Sequence, residues 1–245
     1  DNYYKTKDEV SISFEISDVF YLGKEIDLKG TRTDASGKVH QLDFGKYNAS
    51  ASQTVISSTF TEDGIYDISL TVRDQAGNSE SRELHFTIDK TEPQIADISY
   101  LDGKTINSFS WDEDLDELIS DLTVCDIKMY LNGSEYDGKS DIEDGSYTLL
   151  ITATDELGNT TEKEVKFILD TKAPVFIITG VEENQVQNEE YNINISLQLA
   201  EDTLSSVTLN GKEMSINGNS CSFTVKDKGS YALVMTATDE AGNEA

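Results

Sequence analysis

Three aspartates with alternating spacing, Asp112, Asp114 and Asp116, come nearest to a metal-binding motif in this 245-residue sequence. An EF-hand loop places its first calcium ligands at this spacing, but it also needs Gly at its sixth position and Glu at its twelfth. This chain has Glu117 and Thr123 at those positions. We therefore reject the EF-hand interpretation and predict no metal site in this stretch.

Residues for catalysis are sparse. The two histidines, His40 and His85, have no recognisable motif around them. The sequence also contains no nucleophile elbow, zinc-protease helix motif, phosphate-binding glycine loop or paired-cysteine motif. We therefore predict that the chain is not an enzyme and needs no cofactor.

Acidic residues dominate the charge, because 47 Asp and Glu stand against 19 Lys and Arg and give a formal net charge of -28. Such a field repels nucleic-acid phosphates and anionic lipid head groups. No apolar run approaches the roughly 20 residues of a membrane-spanning helix. We predict no nucleic-acid partner and no membrane insertion in this chain.

One stretch occurs three times, at residues 66–78, 147–159 and 231–243. Each copy begins with Tyr, alternates apolar and polar residues, and ends in Asp-x-x-Gly-Asn, which predicts a half-buried strand running into a tight turn. An Asp in this place accepts backbone N–H groups, and we prefer that role to metal binding. The predicted turn residues are Asp74, Gly77, Asp155, Gly158, Asp239 and Gly242.

The copies lie 81 and 84 residues apart, which is close to the size of one small β domain. Two further similar segments, 86–93 and 167–174, contain the only two prolines and predict short, stiff joints. We expect an all-β fold of three tandem immunoglobulin-like (Ig-like) β-sandwiches, the third lacking its last strand, and a native chain that continues past Ala245. The predicted domains are residues 1–90, 91–172 and 173–245.

The middle domain differs from the others by an acidic insertion near residues 110–122. Four apolar residues in it, at positions 115, 118, 119 and 122, have the spacing of one helix face, so we predict a short helix. The Trp at its start suits a core position better than a ligand platform, yet a binding site would be sought here. The speculative ligand-binding residues are Trp111, Asp112, Asp114 and Asp116.

Each repeated strand starts two residues after a glycine, and the tyrosine that leads it resembles the tyrosine corner of Ig-like sandwiches. In such a corner the tyrosine hydroxyl bonds back to upstream backbone. The residues in question are Tyr66, Tyr147 and Tyr231.

The tyrosine-led strand, the Ala-Thr-Asp-Glu-x-Gly-Asn turn and the Asp-Thr-Lys-Ala-Pro joint together resemble the bacterial Ig-like (Big-type) repeats of Gram-positive cell-surface proteins. The resemblance implies an architecture and an extracellular location, at the cell wall or cell surface, rather than a ligand. Such modules form stalks, or they bind host or glycan partners.

The joints also resemble fragments of the cadherin repeat, which bridges its domains with calcium. The carboxylate-rich Asp-x-Asn-Asp-Asn run of cadherins is missing, and Lys90 and Lys172 stand where carboxylates would be wanted. We expect calcium binding at the joints to be weak or absent.

We therefore predict a monomeric, non-catalytic stalk or spacer of a bacterial cell-surface protein. One alternative is an adhesin module that binds a host protein or a cell-wall glycan through the insertion around Trp111. Another is a set of accessory modules of a surface enzyme. An exposed aromatic side chain or a cleft at Trp111 would favour the adhesin.

Overall fold

The computed structural model describes residues 4–17, 25–47, 53–111 and 115–245. Nearly all regular structure in these residues is β, as the alternation of apolar residues predicts. The chain divides into two compact units, each drawn from several segments. One unit comprises Asp1–Asp97, Glu113–Met129 and Ile151–Lys163, and the other comprises Ile98–Asp112, Tyr130–Leu150 and Glu164–Ala245.

The first seven strands form two sheets around one core. They are β1 (Tyr4–Thr6), β2 (Val10–Ser17), β3 (Glu25–Thr33), β4 (Val39–Gln41), β5 (Gln53–Phe60), β6 (Gly64–Arg73) and β7 (Ser79–Ile88). One sheet has the order β1-β7-β6-β3-β4, and β2 pairs with β5 in the other. Phe60 from β5 packs with Tyr66, Ile68 and Phe86 from the larger sheet, so the apolar faces of the two sheets meet.

The next part of the chain repeats much of this arrangement. Its strands are β8 (Gln94–Ile95), β9 (Lys104–Ile106), β10 (Ile119–Ser120), β11 (Cys125–Leu131), β12 (Ser134–Glu135), β13 (Gly145–Asp155) and β14 (Thr160–Leu169). The larger sheet has the order β12-β11-β13-β14-β9, and β8 pairs with β10. Strand β9 runs parallel to the end of β14, just as β1 runs parallel to the end of β7.

In the described part of residues 110–122, for which a short helix is predicted, the helical segment covers four residues only. Leu115–Leu118 forms one 3₁₀ turn, like Ser99–Leu101 earlier, and the chain then enters β10. Ile119 pairs with Ile95 of β8, and Leu118 is buried. A short apolar run fits a helix or a buried strand equally well by spacing, and here pairing with β8 decides.

The last seven strands again form two sheets. They are β15 (Phe176–Thr179), β16 (Tyr191–Leu197), β17 (Thr203–Leu209), β18 (Lys212–Glu213), β19 (Ile216–Asn217), β20 (Ser220–Val225) and β21 (Leu233–Thr238). Their orders are β15-β16-β20-β19 and β18-β17-β21.

The last sheet has no full strand on the second side of β21 in the described chain, whereas β6 and β13 are each flanked on both sides. On that side, β21 makes a few backbone contacts with residues 244–245. Thr238 bridges Glu244, and Ala237 and Ala245 exchange two backbone hydrogen bonds of 3.0 and 2.9 Å. In the described chain, β21 therefore has β17 on one side and only these few contacts on the other.

Candidate functional site

Two short segments follow the last long strands of the first two parts of the chain. We call residues 89–93 the first junction and residues 170–174 the second junction. Pro93 and Pro174 are both buried. Side chains from distant parts of the sequence converge on these segments, which makes them the candidate site.

Three carboxylates meet at the first junction. Asp89, Asp121 and Asp155 each offer an oxygen, and these oxygens all lie within 4.8 Å of one another. We call this set the first carboxylate cluster. Asp89 is 0% exposed and Asp155 is 5% exposed, whereas Asp121 is half-buried. Burial, followed by the charge of Asp121, raises the pKa of Asp89 to about 6.

Neutral donors supply part of the cluster's hydrogen bonding. The Thr123 hydroxyl donates to Asp89 over 3.2 Å and to Asp121 over 3.1 Å. The backbone N–H of Thr91 donates to Asp89 over 3.3 Å. Within the described ranges, no basic side chain forms an ion pair with any of the three carboxylates. Their negative charge is therefore not compensated by a cationic residue.

The turn asparagines connect two of the three turns to the junctions. In every turn the Asn side chain donates to the Asp four residues earlier, over 2.7 Å from Asn78, 2.5 Å from Asn159 and 2.7 Å from Asn243. Asn159 Nδ2 also donates to the backbone carbonyl of Asp89 over 3.4 Å, and Asn243 Nδ2 donates to that of Asp170 over 2.7 Å. The same motif thus orders its own turn and holds the preceding junction.

Each junction is also held by hydrogen bonds to an aspartate near the start of a repeated strand. Asp63 Oδ2 accepts from the Thr91 hydroxyl over 2.6 Å and from the backbone N–H of Lys90 over 3.1 Å. Asp144 Oδ1 accepts from the hydroxyl and the backbone N–H of Thr171 over 2.8 and 2.9 Å. Asp63 and Asp144 each precede the glycine at the start of a repeated strand. The aspartate before each of these two strands is therefore hydrogen-bonded to the junction that follows the next long strand.

The lysines in the junctions bind these clamping aspartates. Lys90 Nζ lies 3.8 Å from Asp63 Oδ1, and Lys172 Nζ lies 3.1 Å from Asp144 Oδ2. The contact with Lys172 contributes to a lowered pKa of Asp144, after the larger effect of the hydrogen bonds from Thr171. Within the described residues, the ion pairs of both lysines are therefore with the clamping aspartates and not with a carboxylate cluster.

A second carboxylate cluster repeats the first by position. Asp170, Asp202 and Asp239 follow Asp89, Asp121 and Asp155 by 81, 81 and 84 residues. Asp202 is only 4% exposed, and its Oδ2 has no hydrogen-bond partner among the described residues. Burial, followed by the charges of Glu201, Asp239 and Asp170, raises the pKa of Asp202. The carboxylates of this second set lie farther apart, since in the described chain only the first cluster brings three carboxylate oxygens within 4.8 Å of one another.

The three leading tyrosines make one common contact. Each hydroxyl donates to the backbone carbonyl four residues upstream, from Tyr66 to Glu62 over 2.7 Å, from Tyr147 to Glu143 over 2.7 Å and from Tyr231 to Asp227 over 2.9 Å. Tyr66 is buried and stacks on Phe86, whereas Tyr231 is 40% exposed. These contacts fix the strand entries that carry Asp63 and Asp144.

The speculative ligand-binding residues do not form an exposed platform where they are described. Trp111 is 7% exposed, and its backbone N–H donates to the carbonyl of Gly138 over 2.6 Å. Asp116 lies exposed in the 3₁₀ turn. Asp112 and Asp114 lie outside the described residues. Trp111 is thus a core residue, held close to the chain at Gly138.

Sequence reasoning missed the aspartates that converge on the junctions. A signal was present, because Asp63 and Asp144, like the first two members of each carboxylate cluster, recur at a spacing of 81 residues. The repeated pattern indicates only the last member of each cluster, Asp155 or Asp239, and indicates it as a turn residue.

Comparison with known proteins gives one family match. Three solved structures also align along 98% of this chain: a Bacteroides ovatus glucan-utilization protein, SGBP-B, in complex with a mixed-linkage heptasaccharide, a tetra-tandem repeat from the extending region of a large adhesion protein, and a 1.5-MDa bacterial ice-binding adhesin. The glucan-utilization protein is 16% identical, with a TM-score of 0.24 and 60% of its chain covered. The adhesion-protein repeat is 17% identical, with a TM-score of 0.40 and 69% of its chain covered. The ice-binding adhesin is 15% identical, with a TM-score of 0.30 and 88% of its chain covered. The chain therefore spans less than two thirds of the first.

No curated protein matches the chain. No helix among the described residues is long and apolar enough to cross a bilayer. Residues 134–218 match the family of the bacterial Ig-like domain (group 3).

Proposed function

We propose that this chain is a non-catalytic array of three Ig-like modules, residues 1–90, 91–172 and 173–245, that acts as a stalk or spacer. The observation that carries the proposal is the build of the two junctions. Each is only a few residues long, contains a buried proline, and is held by an aspartate from one side and a turn asparagine from the other. A spacer needs joints that keep successive modules in a fixed order and limit their bending.

The side chains that could do chemistry support this proposal. His40 Nε2 lies 2.7 Å from Asp34, and His85 Nδ1 lies 2.5 Å from Asp67, so each histidine is paired with a carboxylate on the sheet surface. The hydroxyl of Ser36 donates to the same Asp34 over 2.6 Å, and His85 Nε2 lies 3.9 Å from Glu83. Trp111 is buried, which removes the exposed aromatic residue that an adhesin site there would need.

The acidic surface and the Ig-like match at residues 134–218 support a place outside the cell. We infer that the modules belong to a cell-wall or cell-surface protein of a Gram-positive bacterium and act as monomers. The net charge of -28 keeps neighbouring copies apart, because like-charged surfaces repel one another. Host or cell-wall glycans and proteins remain the partners to test if the modules bind at all.

Binding arrays test the spacer against the adhesin. The purified 245-residue chain is applied to arrays of host glycans, cell-wall glycans and extracellular-matrix proteins, and each positive spot is re-measured in solution by biolayer interferometry. A spacer gives no saturable binding at up to about 100 μM, well above the range typical of specific recognition. Saturable binding that Trp111→Ala abolishes in a chain that remains folded would establish the adhesin instead.

A further inference from the structure

The first carboxylate cluster has an unmet need for positive charge. Three carboxylate oxygens lie within 4.8 Å of one another, two of the three side chains are buried, and no basic side chain pairs with them in the described part of the chain. Like charges at this separation, away from water, disfavour one another's ionised forms. An opposite charge placed among the three carboxylates would favour their ionised forms.

The second carboxylate cluster also lacks a positive charge, and a different observation indicates this. Asp202 Oδ2 is buried and has no hydrogen-bond donor among the described residues, and the groups that act on it are the carboxylates of Glu201, Asp239 and Asp170. A buried carboxylate oxygen is rarely left without a donor or an ion. Because the two clusters occupy equivalent places in the repeats, one explanation should serve both.

The ligand atoms select a hard cation. The first cluster offers carboxylate oxygens, with the hydroxyl of Thr123 beside them. The thiol of the nearby Cys125 donates to the backbone carbonyl of Thr123 over 3.7 Å. An all-oxygen set without imidazole or thiolate suits Ca²⁺ or Mg²⁺ rather than a transition metal.

The spacing favours the larger of these two ions. Calcium holds its oxygen ligands at about 2.3–2.6 Å, so oxygens on opposite sides of one ion can be up to about 5 Å apart. The three oxygens of the first cluster satisfy this limit as they stand, since none is more than 4.8 Å from another. Magnesium, with ligands at about 2.0–2.1 Å, needs every such separation to stay below about 4.2 Å and also needs near-ideal octahedral geometry, so calcium accepts a wider range of oxygen spacings.

We propose that Asp89, Asp121 and Asp155 bind one calcium ion at the first junction, and that Asp170, Asp202 and Asp239 close around a second one at the second junction. Each ion would tie together three segments that are far apart in sequence: the end of a last strand, the residues before a middle strand, and a repeated turn. Lys90 and Lys172, which argue against calcium in the sequence, form ion pairs with Asp63 and Asp144. This proposal stands or falls independently of the spacer function.

Solution NMR of the calcium-free, ¹⁵N-labelled chain tests the proposal site by site. On addition of CaCl₂ we expect saturable shifts of the amide signals of Thr91, Thr123 and Asn159 at the first junction, and of Thr171, Thr203 and Asn243 at the second. The dissociation constants should lie at or below about 1 mM, the upper end for extracellular calcium modules. Magnesium should bind at least about tenfold more weakly, because it demands near-ideal octahedral geometry and gives up its water ligands reluctantly.

Three variants assign the sites. Asp121→Asn should abolish the shifts at the first junction and leave those at the second, and Asp202→Asn should do the reverse. Asp74→Asn is the matched control, because Asp74 has the same role in its own turn as Asp155 and Asp239 but is not part of either cluster. It should leave both sites intact. The dispersion of each spectrum shows whether the variant is folded.

A second measurement needs no variant. Substoichiometric Mn²⁺, added to the wild-type chain, should broaden the junction amides first, and CaCl₂ should restore them. The proposal is overturned if 10 mM CaCl₂ gives only small, non-saturating shifts spread over the acidic surface, or if Asp121→Asn leaves calcium binding at the first junction unchanged.

Discussion

Replacing Asn159 by Ala should loosen the first junction by much more than the same change at Asn78 loosens its own turn. Both side chains donate to the turn aspartate, over 2.5 and 2.7 Å. Asn159 is only 8% exposed and also reaches the carbonyl of Asp89, whereas Asn78 is exposed and has no such second partner among the described residues. Water can replace the lost donor at Asn78 but not at Asn159.

The expected magnitude follows from burial. Removing a donor from a buried, charged acceptor costs about 1–3 kcal/mol, while an exposed hydrogen bond is worth about 1 kcal/mol or less. The contact with Asp89 is long, at 3.4 Å, and adds little energy of its own. We therefore expect Asn159→Ala to lower the opening free energy around the junction by about 2 kcal/mol, which corresponds to roughly 30-fold faster hydrogen exchange.

Hydrogen-exchange mass spectrometry in EDTA measures this effect segment by segment, so it does not depend on two-state unfolding of the whole chain. Peptides that contain Asp89 and peptides that contain Asp155 should both exchange faster in Asn159→Ala. The Asn78→Ala control should accelerate exchange less than about fivefold, and only near its own turn. Equal effects of the two variants, or an Asn159→Ala effect that stops at residues 155–159, would refute the linking role of this side chain.

Three further changes test other parts of the structure. Tyr66→Phe should destabilise its sandwich by about 1 kcal/mol in thermal unfolding, because it removes a hydroxyl donor from a buried ring. Tyr231→Phe should lower the stability by less, since that ring is partly exposed. Trp111→Ala should cost about 3–5 kcal/mol in urea unfolding, as expected for a buried aromatic side chain, and a loss below about 1 kcal/mol would contradict its core position. In EDTA, the free energy of unfolding should fall by up to about 3 kcal/mol between pH 4 and pH 7, because the native state holds the proton of Asp89 more tightly than the unfolded chain. Asp89→Asn should flatten that fall and be the more stable protein at pH 7.5, and a wild-type curve that rises over this interval would contradict the assigned direction.

The repeated strands could be predicted from the sequence because their information is local. Alternation of apolar residues in the second copy predicts a strand that the structure shows as Gly145–Asp155, and Asp155 accepts from the turn in the way its motif indicates. These features depend on neighbours within a few residues.

The junctions could not be predicted in the same way. Asp89, Asp121 and Asp155 are brought together by strand pairing across more than sixty residues, and no local pattern reports that convergence. The stretch around Leu118 illustrates the opposite case, since its local spacing fits a helix or a strand, and the pairing of Ile119 with Ile95 ends the helical turn after four residues. Burial of Trp111 likewise depends on the approach of Gly138 from another segment.

Single-molecule force spectroscopy of the 245-residue chain tests most directly whether it is a series of separate modules. Each predicted module, of roughly 73 to 90 residues, should unfold in its own event and release a contour length of about 26 to 32 nm, at about 0.36 nm per residue. We expect at least two such events, from residues 1–90 and 91–172. One cooperative event that releases about 90 nm would contradict a modular stalk.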